Sequence, residues 1–268
     1  MTTRANSCRS SFWLSNESTR KFVSAQWSGF SPGAYVIWRW VAATYFSIWI
    51  ILSGVWSDWW HVTQPDAIKW FIYLANWAFL LFVLDLIFRA VISMVFYARI
   101  SSHGKKCPYD GKPLPGFIQV EWVLYNISTT ATFTVTLAFW ISFYSISKGE
   151  SAPFDACDYH AHAVNPAFLL CDFFISAHPA RFAHFFHSVF FAIIYAVFTV
   201  VYDVIGGTNS HQLPYIYPMI DWSEDSYRAS AYTAGTALLV VPVIWCCVCV
   251  LHRIRVAIFN CARDICDD

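Results

Sequence analysis

The run Asp158-Tyr-His160-Ala-His162-Ala-Val-Asn165-Pro-Ala-Phe-Leu-Leu-Cys-Asp172-Phe-Phe-Ile-Ser176-Ala-His178 gathers side chains able to move a proton. On a helix, at about 100° per residue, His162, Asn165, Asp172 and Ser176 fall in one stripe. Asp158 lies on the same side and His160 roughly opposite. A histidine is the usual general base near neutral pH, and a carboxylate can orient its ring. The stripe therefore points to a buried reaction or transport site with His162 as base, Asp172 as its orienter and Asn165 beside them. The plainer alternative is that these groups hydrogen-bond neighbouring helices together, at about 0.6 kcal/mol each.

Other segments carry matching polar faces. Asp85 and Arg89 are four residues apart and pair on one helix face, with Tyr73 and Asn76 on another. Asn126, Thr129, Thr130 and Thr136 share one side of a third segment, and Glu121, Ser128 and Thr132 share another. Asn76, Asp85, Asn126, Thr129, Thr130 and Ser176 form the expected polar interior. His160 and His162 diverge on a helix, and neither His61, His211, Asp203 nor Asp221 supplies a third ligand at a diagnostic spacing. No metal or other cofactor is expected. No phosphate loop, nucleophile elbow or His-Glu-x-x-His motif occurs.

The elements holding these groups are apolar. Hydrophobic residues make up 57% of the 268 and charged residues 13%, a balance suited to a bilayer. A hydrocarbon core of about 30 Å needs about 20 apolar helical residues to cross. Six segments meet that length, near Ala34–Trp56, Ile68–Phe96, Val120–Ile146, Tyr159–Ala177, Phe182–Ile205 and Ala229–Leu251. The expected fold is all-α: a polytopic membrane bundle of six transmembrane helices over 34–251, with tails at 1–33 and 252–268. The partner implied is the lipid bilayer. The formal net charge of zero argues against nucleic acid.

Positive charges set the orientation. Arg4, Arg9, Arg20, Lys21 and Arg39 lie at the start, and Arg89, Arg99, Lys105, Lys106 and Lys112 lie on or near the second connection. Arg181 follows the fourth segment, and Arg253, Arg255 and Arg263 follow the sixth. Only Lys69, Lys148 and Arg228 of the 17 basic residues fall on the other face, so both termini are expected in the cytoplasm. The first 30 residues lack an apolar run, which leaves the first helix as signal anchor. Trp56, Trp59 and Trp60 suit an interfacial belt.

Cytoplasmic placement keeps Cys8, Cys107, Cys261 and Cys266 reduced, while Cys171 lies within a helix and Cys157 faces outside without a partner. No structural disulfide is expected. Cys246, Cys247 and Cys249 sit near the cytoplasmic end of the sixth helix, where they serve either palmitoylation or packing between helices. The sequon at Asn16 is on the cytoplasmic side and that at Asn126 is inside a helix, so neither is expected to carry sugar.

Outside, Gly206 and Gly207 permit a sharp exit from the fifth helix. Pro214 and Pro218 stiffen the segment after it, and Tyr215, Tyr217, Asp221 and Trp222 complete an interfacial loop. The loop is expected to be a contact surface or a lid over the polar stripe.

Lys69-Trp-Phe-Ile-Tyr-Leu-Ala-Asn-Trp77, Ala161-His162-Ala-Val-Asn165, His178-Pro-Ala-Arg181, Gly206-Gly-Thr208 and Pro214-Tyr-Ile-Tyr-Pro218-Met-Ile-Asp-Trp222 occur in that order. With this set the chain, from about Phe22 to Ile258, resembles the Rolling stone family of animal multi-pass membrane proteins. The resemblance implies a plasma-membrane protein with protein partners at the cell surface, acting in cell–cell interaction or myoblast fusion. The chain is also distantly similar to the androgen-induced family of membrane hydrolases, which cleave fatty acid esters with an intramembrane Thr and a His. Where that family carries its Thr this chain has Tyr73–Asn76 with Ala75, and one of its paired His positions is Asn165. The alternatives implied are ester hydrolysis, or a lipid-binding or transport bundle.

Overall fold

Backbone groups in lipid must pair within their own segment, so long apolar runs become helices. The computed structural model describes residue 14 and residues 17–55, 64–102, 112–147 and 156–267. The helices are α1 (Arg20–Val23), α2 (Pro32–Val55), α3 (Leu74–Ser102), α4 (Gly116–Ser147), α5 (Ala156–Tyr159), α6 (Asn165–Ile175), α7 (Phe185–Val204), α8 (Ser226–Gly235) and α9 (Val241–Asp267). A 3-10 helix, Gln64–Ile72, leads into α3, and a short one, Phe182–His184, opens α7. No strand occurs among the described residues, where a single antiparallel bridge joins Ala25 to Ser176. Arg4, Arg9, Lys105, Lys106, Lys148, Cys8, Cys107, Asn16, Trp56, Trp59, Trp60 and His61 lie outside the described residues.

All six expected segments are helical, but only four helices among the described residues are long and apolar enough to cross a membrane: Pro32–Val55, Leu74–Ser101, Phe182–Val204 and Ser226–Asp264. The expectation of six spans is corrected to four. The reason is polarity. α4 carries Glu121, Asn126 and a run of hydroxyl residues, and the α5–α6 segment carries Asp158, His160, His162, Asn165 and Asp172. Such side chains need protein neighbours rather than lipid. α4 has them, lying against α3, α6, α7 and α9.

The apolar helices are arranged inside out. Ile37, Val41, Tyr45, Ile48, Ile51 and Val55 recur every three or four residues on the exposed face of α2. Tyr35, Arg39, Ala42, Ala43, Phe46 and Ser53 lie on its buried face. An apolar exterior over a polar interior suits a lipid solvent.

Two prolines shape the helices. Pro166 has no N–H to give the carbonyl four residues back, and the chain answers with a π turn at His160–Val164, where the Asn165 N–H reaches the His160 carbonyl. The freed His162 carbonyl accepts from Trp140 Nε1 at 3.0 Å. Pro242 has the same consequence, a π turn at Thr236–Val240 closed by the Val241 N–H on the Thr236 carbonyl. These turns absorb an extra residue, so the regular 100° register assumed for the stripe breaks at His162. The stripe also ends sooner than expected, because Ser176 is extended backbone beyond α6.

Candidate functional site

Ionisable groups within a helical bundle are costly unless they satisfy one another. Arg39 on α2, Asp85 and Arg89 on α3, Glu121 on α4, Asp172 on α6 and Arg255 on α9 are all buried. Two of the guanidinium groups, Arg39 and Arg89, pair with the three carboxyl groups.

Asp172 is the hub. Its Oδ1 accepts from Arg39 Nη1 at 2.6 Å and from Trp38 Nε1 at 2.9 Å, and its Oδ2 lies 3.0 Å from Arg89 Nη1. Arg89 also reaches Asp85, one turn earlier, at 3.5 Å and Glu121 at 3.6 Å, and donates to Ser176 Oγ at 3.1 Å. Arg39 donates its other arm to Tyr35 Oη. The rings of Tyr35 and Tyr125 lie under the Arg39 and Arg89 guanidinium groups.

Arg255 binds backbone instead of acid. It donates to the carbonyls of Phe173, Ser176 and His178, each at 2.7 Å, tying α9 to the turn after α6. The Phe173 carbonyl is one that the helix end leaves unpaired, and the other two belong to the extended turn beyond it. His178, in that turn, faces the Pro179 carbonyl through Nδ1 and both Glu121 oxygens through Nε2, at 3.1 and 3.2 Å. Burial, then Arg89 and Arg255, hold the imidazole well below its ordinary range. A ring with acceptors on both sides requires one proton to be shared between Nε2 and the Glu121 carboxyl.

The N-terminal segment covers this end of the bundle. Phe22 is buried against the rings of Trp122 and His178. The Gln26 N–H donates to the Ile175 carbonyl at 2.7 Å, and the Ala177 N–H to that of Ser24 at 3.2 Å. Glu17 accepts from Lys21 and Arg181. Burial pushes its carboxyl up, but these two cations outweigh burial and hold it below its usual value.

His162 lies elsewhere. Its ring stacks on Phe139 at 3.9 Å, and its Nδ1 has no hydrogen-bond partner among the described residues. Asn165 Oδ1 likewise has none there, although both residues are buried. Ten residues of helix put His162 about 15 Å from Asp172. The structure therefore does not bring His162 and Asp172 together, and Asp172 is engaged by cations from two other helices. Asn126, Thr129 and Thr130 are buried on α4. Asn126 faces His184 and His187 at 3.4 and 3.3 Å, and Ser188 Oγ donates to its carbonyl at 3.0 Å, so this pairing joins α4 to α7. Asn76 donates to the Trp70 carbonyl at 2.6 Å, fastening the 3-10 helix to α3.

The 206–222 loop begins with a Schellman cap. Gly206 has φ of 75°, its N–H donates to Asp203 O, and the Gly207 N–H donates to Tyr202 O. A side chain at Gly206 meets the left-handed penalty, so Gly206→Val is expected to lower stability by about 1–2 kcal/mol. Melting of purified protein in detergent checks this; an unchanged midpoint would refute the cap. Beyond the cap, Lys69 Nζ donates to Thr208 Oγ1 and Asn209 O, both at 2.9 Å, and Tyr73 Oη meets Ser210 Oγ at 2.6 Å. Tyr217 Oη accepts from the Leu74 N–H at 3.0 Å, and Trp222 Nε1 donates to Thr199 Oγ1 at 3.2 Å. Asp221 caps Ser223 and Glu224, and Pro218 O faces Arg228. Tyr215 lies near Tyr202 and Trp222 on the surface of this loop. These bonds anchor the loop on the entry to α3 and the end of α7, not on His162.

Sequence reasoning missed the partners of Asp172. Arg39 was the available signal, a cation inside an apolar run, as Arg255 was in the last helix.

Residues 3–266 match the family model described as Protein rolling stone. Protein rolling stone of Drosophila melanogaster is 25% identical to this chain over 260 residues, which cover 96% of this chain and 90% of the relative. No solved structure matches. The match spans both the buried charge cluster and the 206–222 loop, and the chain belongs to the Rolling stone family, as an integral multi-pass membrane protein.

Proposed function

We propose that the protein acts at the plasma membrane in cell–cell interaction, including myoblast fusion, through protein partners that meet its outer loop. Both termini lie in the cytoplasm in this reading, as the sorted Lys and Arg residues favour. One observation carries it: the 206–222 loop is fastened at many points to the 3-10 entry of α3, to the start of α3 and to α7, yet exposes its tip, His211 to Pro214. A loop fixed before binding gives up little entropy on binding, which suits a contact surface. The charge cluster supports the same role by holding α3, on whose entry the loop rests.

The test replaces residues 211–214 with Gly-Ser-Gly-Ser and mixes two labelled populations of cultured myoblasts. Cell contact and fusion are expected to fall at least about tenfold, the effect of losing about 1.4 kcal/mol of binding, at equal surface display. His162→Ala is expected to leave both intact. Unchanged fusion with the loop variant at full surface level would defeat the proposal.

A further inference from the structure

The three cysteines near the inner end of the last helix divide into two kinds. Cys249 is buried among Phe173, Ala180, Trp245 and Val248, so it packs between helices. Cys246 and Cys247 are exposed. Packing accounts for the first thiol and not for the adjacent pair.

Their depth is set by a hydrogen bond. Trp245 Nε1 donates to the Arg181 carbonyl at 3.0 Å, which puts this part of α9 level with the connection from α6 to α7. That connection is a rim of the bundle. On one side of it, exposed Phe182 and Phe186 begin the apolar surface of α7; on the other lie Arg181 and the N-terminal segment. The thiols thus stand at a boundary between lipid and water. Val243 precedes the pair by three and four residues, and Val250 comes after it by four and three, so both valines flank the thiols on one helix face. Ile254 extends that face, and Val243, Val250 and Ile254 are all exposed. Arg253 beside them is exposed too.

We propose that Cys246 and Cys247 are S-acylation sites, taking long-chain fatty acyl groups whose chains lie in the leaflet along exposed Val243 and Leu239 of the same helix. The acyl donor is a long-chain acyl thioester of coenzyme A. The cysteine thiolate attacks the thioester carbonyl carbon, a new carbon–sulfur bond forms, and the bond to the coenzyme A sulfur breaks. The released coenzyme A thiolate takes up the proton that the cysteine gave up, and nothing is oxidised or reduced. An acyl chain in the leaflet would then tether the helix that Arg255 clamps to the charge cluster.

This inference rests on the proposed cytoplasmic placement of that rim, so one experiment reads both. Full-length protein with a C-terminal epitope is expressed in cultured insect cells and analysed by hydroxylamine-dependent acyl exchange. The wild type is expected to label, Cys246→Ser with Cys247→Ser to lose at least about nine-tenths of the label, and Cys249→Ser to retain it. The epitope is expected to be reached by antibody only after permeabilisation. A cytoplasmic epitope with no label, or with label kept by the double variant on Cys171 or Cys261, overturns the acylation sites alone. An epitope reached on intact cells overturns both readings.

Discussion

Arg89→Leu is expected to destabilise the protein by about 3–5 kcal/mol, the cost of stripping a buried ionic network of one partner. Arg89 approaches Asp85, Glu121 and Asp172 at 3.5, 3.6 and 3.0 Å, so its loss leaves three buried carboxyl groups with Arg39, on Asp172, as the one remaining guanidinium that pairs with any of them among the described residues. The double variant with Asp85→Leu removes one carboxylate as well and is expected to recover part of the loss, because matched removal of a buried pair is far milder than removal of one member. Lys21→Ala breaks an exposed pair with Glu17 and is expected to cost at most about 1 kcal/mol. Thermal unfolding of the three variants in detergent orders these effects. A small loss for Arg89→Leu, comparable with that for Lys21→Ala, would mean that the cluster does not hold the bundle.

How far such a network can be foreseen depends on its range. Asp85 and Arg89 share one helix, and four-residue spacing announces their pairing. Asp172 meets Arg39 across 133 residues of chain, and no local rule joins them. What the sequence offers is an anomaly, an arginine inside an apolar run, which must find an acid somewhere. The helices themselves are legible for the converse reason, since apolar length is a local property. Even there, hydropathy summed over a segment hides which face the polar groups occupy. That is why α4 and α5–α6 pass as spans by length yet fail by character.

Proline explains a second limit. Pro166 and Pro242 stand inside segments whose pattern is otherwise helical, and a helix can answer a missing N–H by kinking or by a π turn. Both helices take the π turn, which keeps them continuous and rotates the parts on either side. His162 is thereby turned onto Phe139, off the line that regular periodicity drew through Asp172. Gly206 is the opposite case. Its cap depends on the residues next to it, and the Gly-Gly pair after an apolar helix was enough to locate the turn.

Arg255 joins these features, and its replacement tests whether they act as a unit. One side chain satisfies three carbonyls of the 173–178 turn, and the N-terminal segment docks on the same turn through the Ala25–Ser176 bridge. Trp27 then touches both partners, donating to the Phe174 carbonyl at 2.8 Å and packing against Phe259 of α9. Arg255→Met keeps most of the stem but leaves the carbonyls unpaired, and is expected to lower stability by about 3 kcal/mol. Arg255→Lys restores the charge without the planar fork, so it is expected to recover only part of this. If the turn is what holds the N-terminal segment, its loosening releases Phe22 and exposes the Lys21–Phe22 bond to trypsin. Cleavage there is then expected to accelerate about tenfold for each 1.4 kcal/mol lost, because proteolysis of a briefly opened state tracks its population. A destabilised Arg255→Met protein that is cut at Lys21 no faster than wild type would separate the segment from the clamp, and the coupling between α9 and the N-terminal cover would fall.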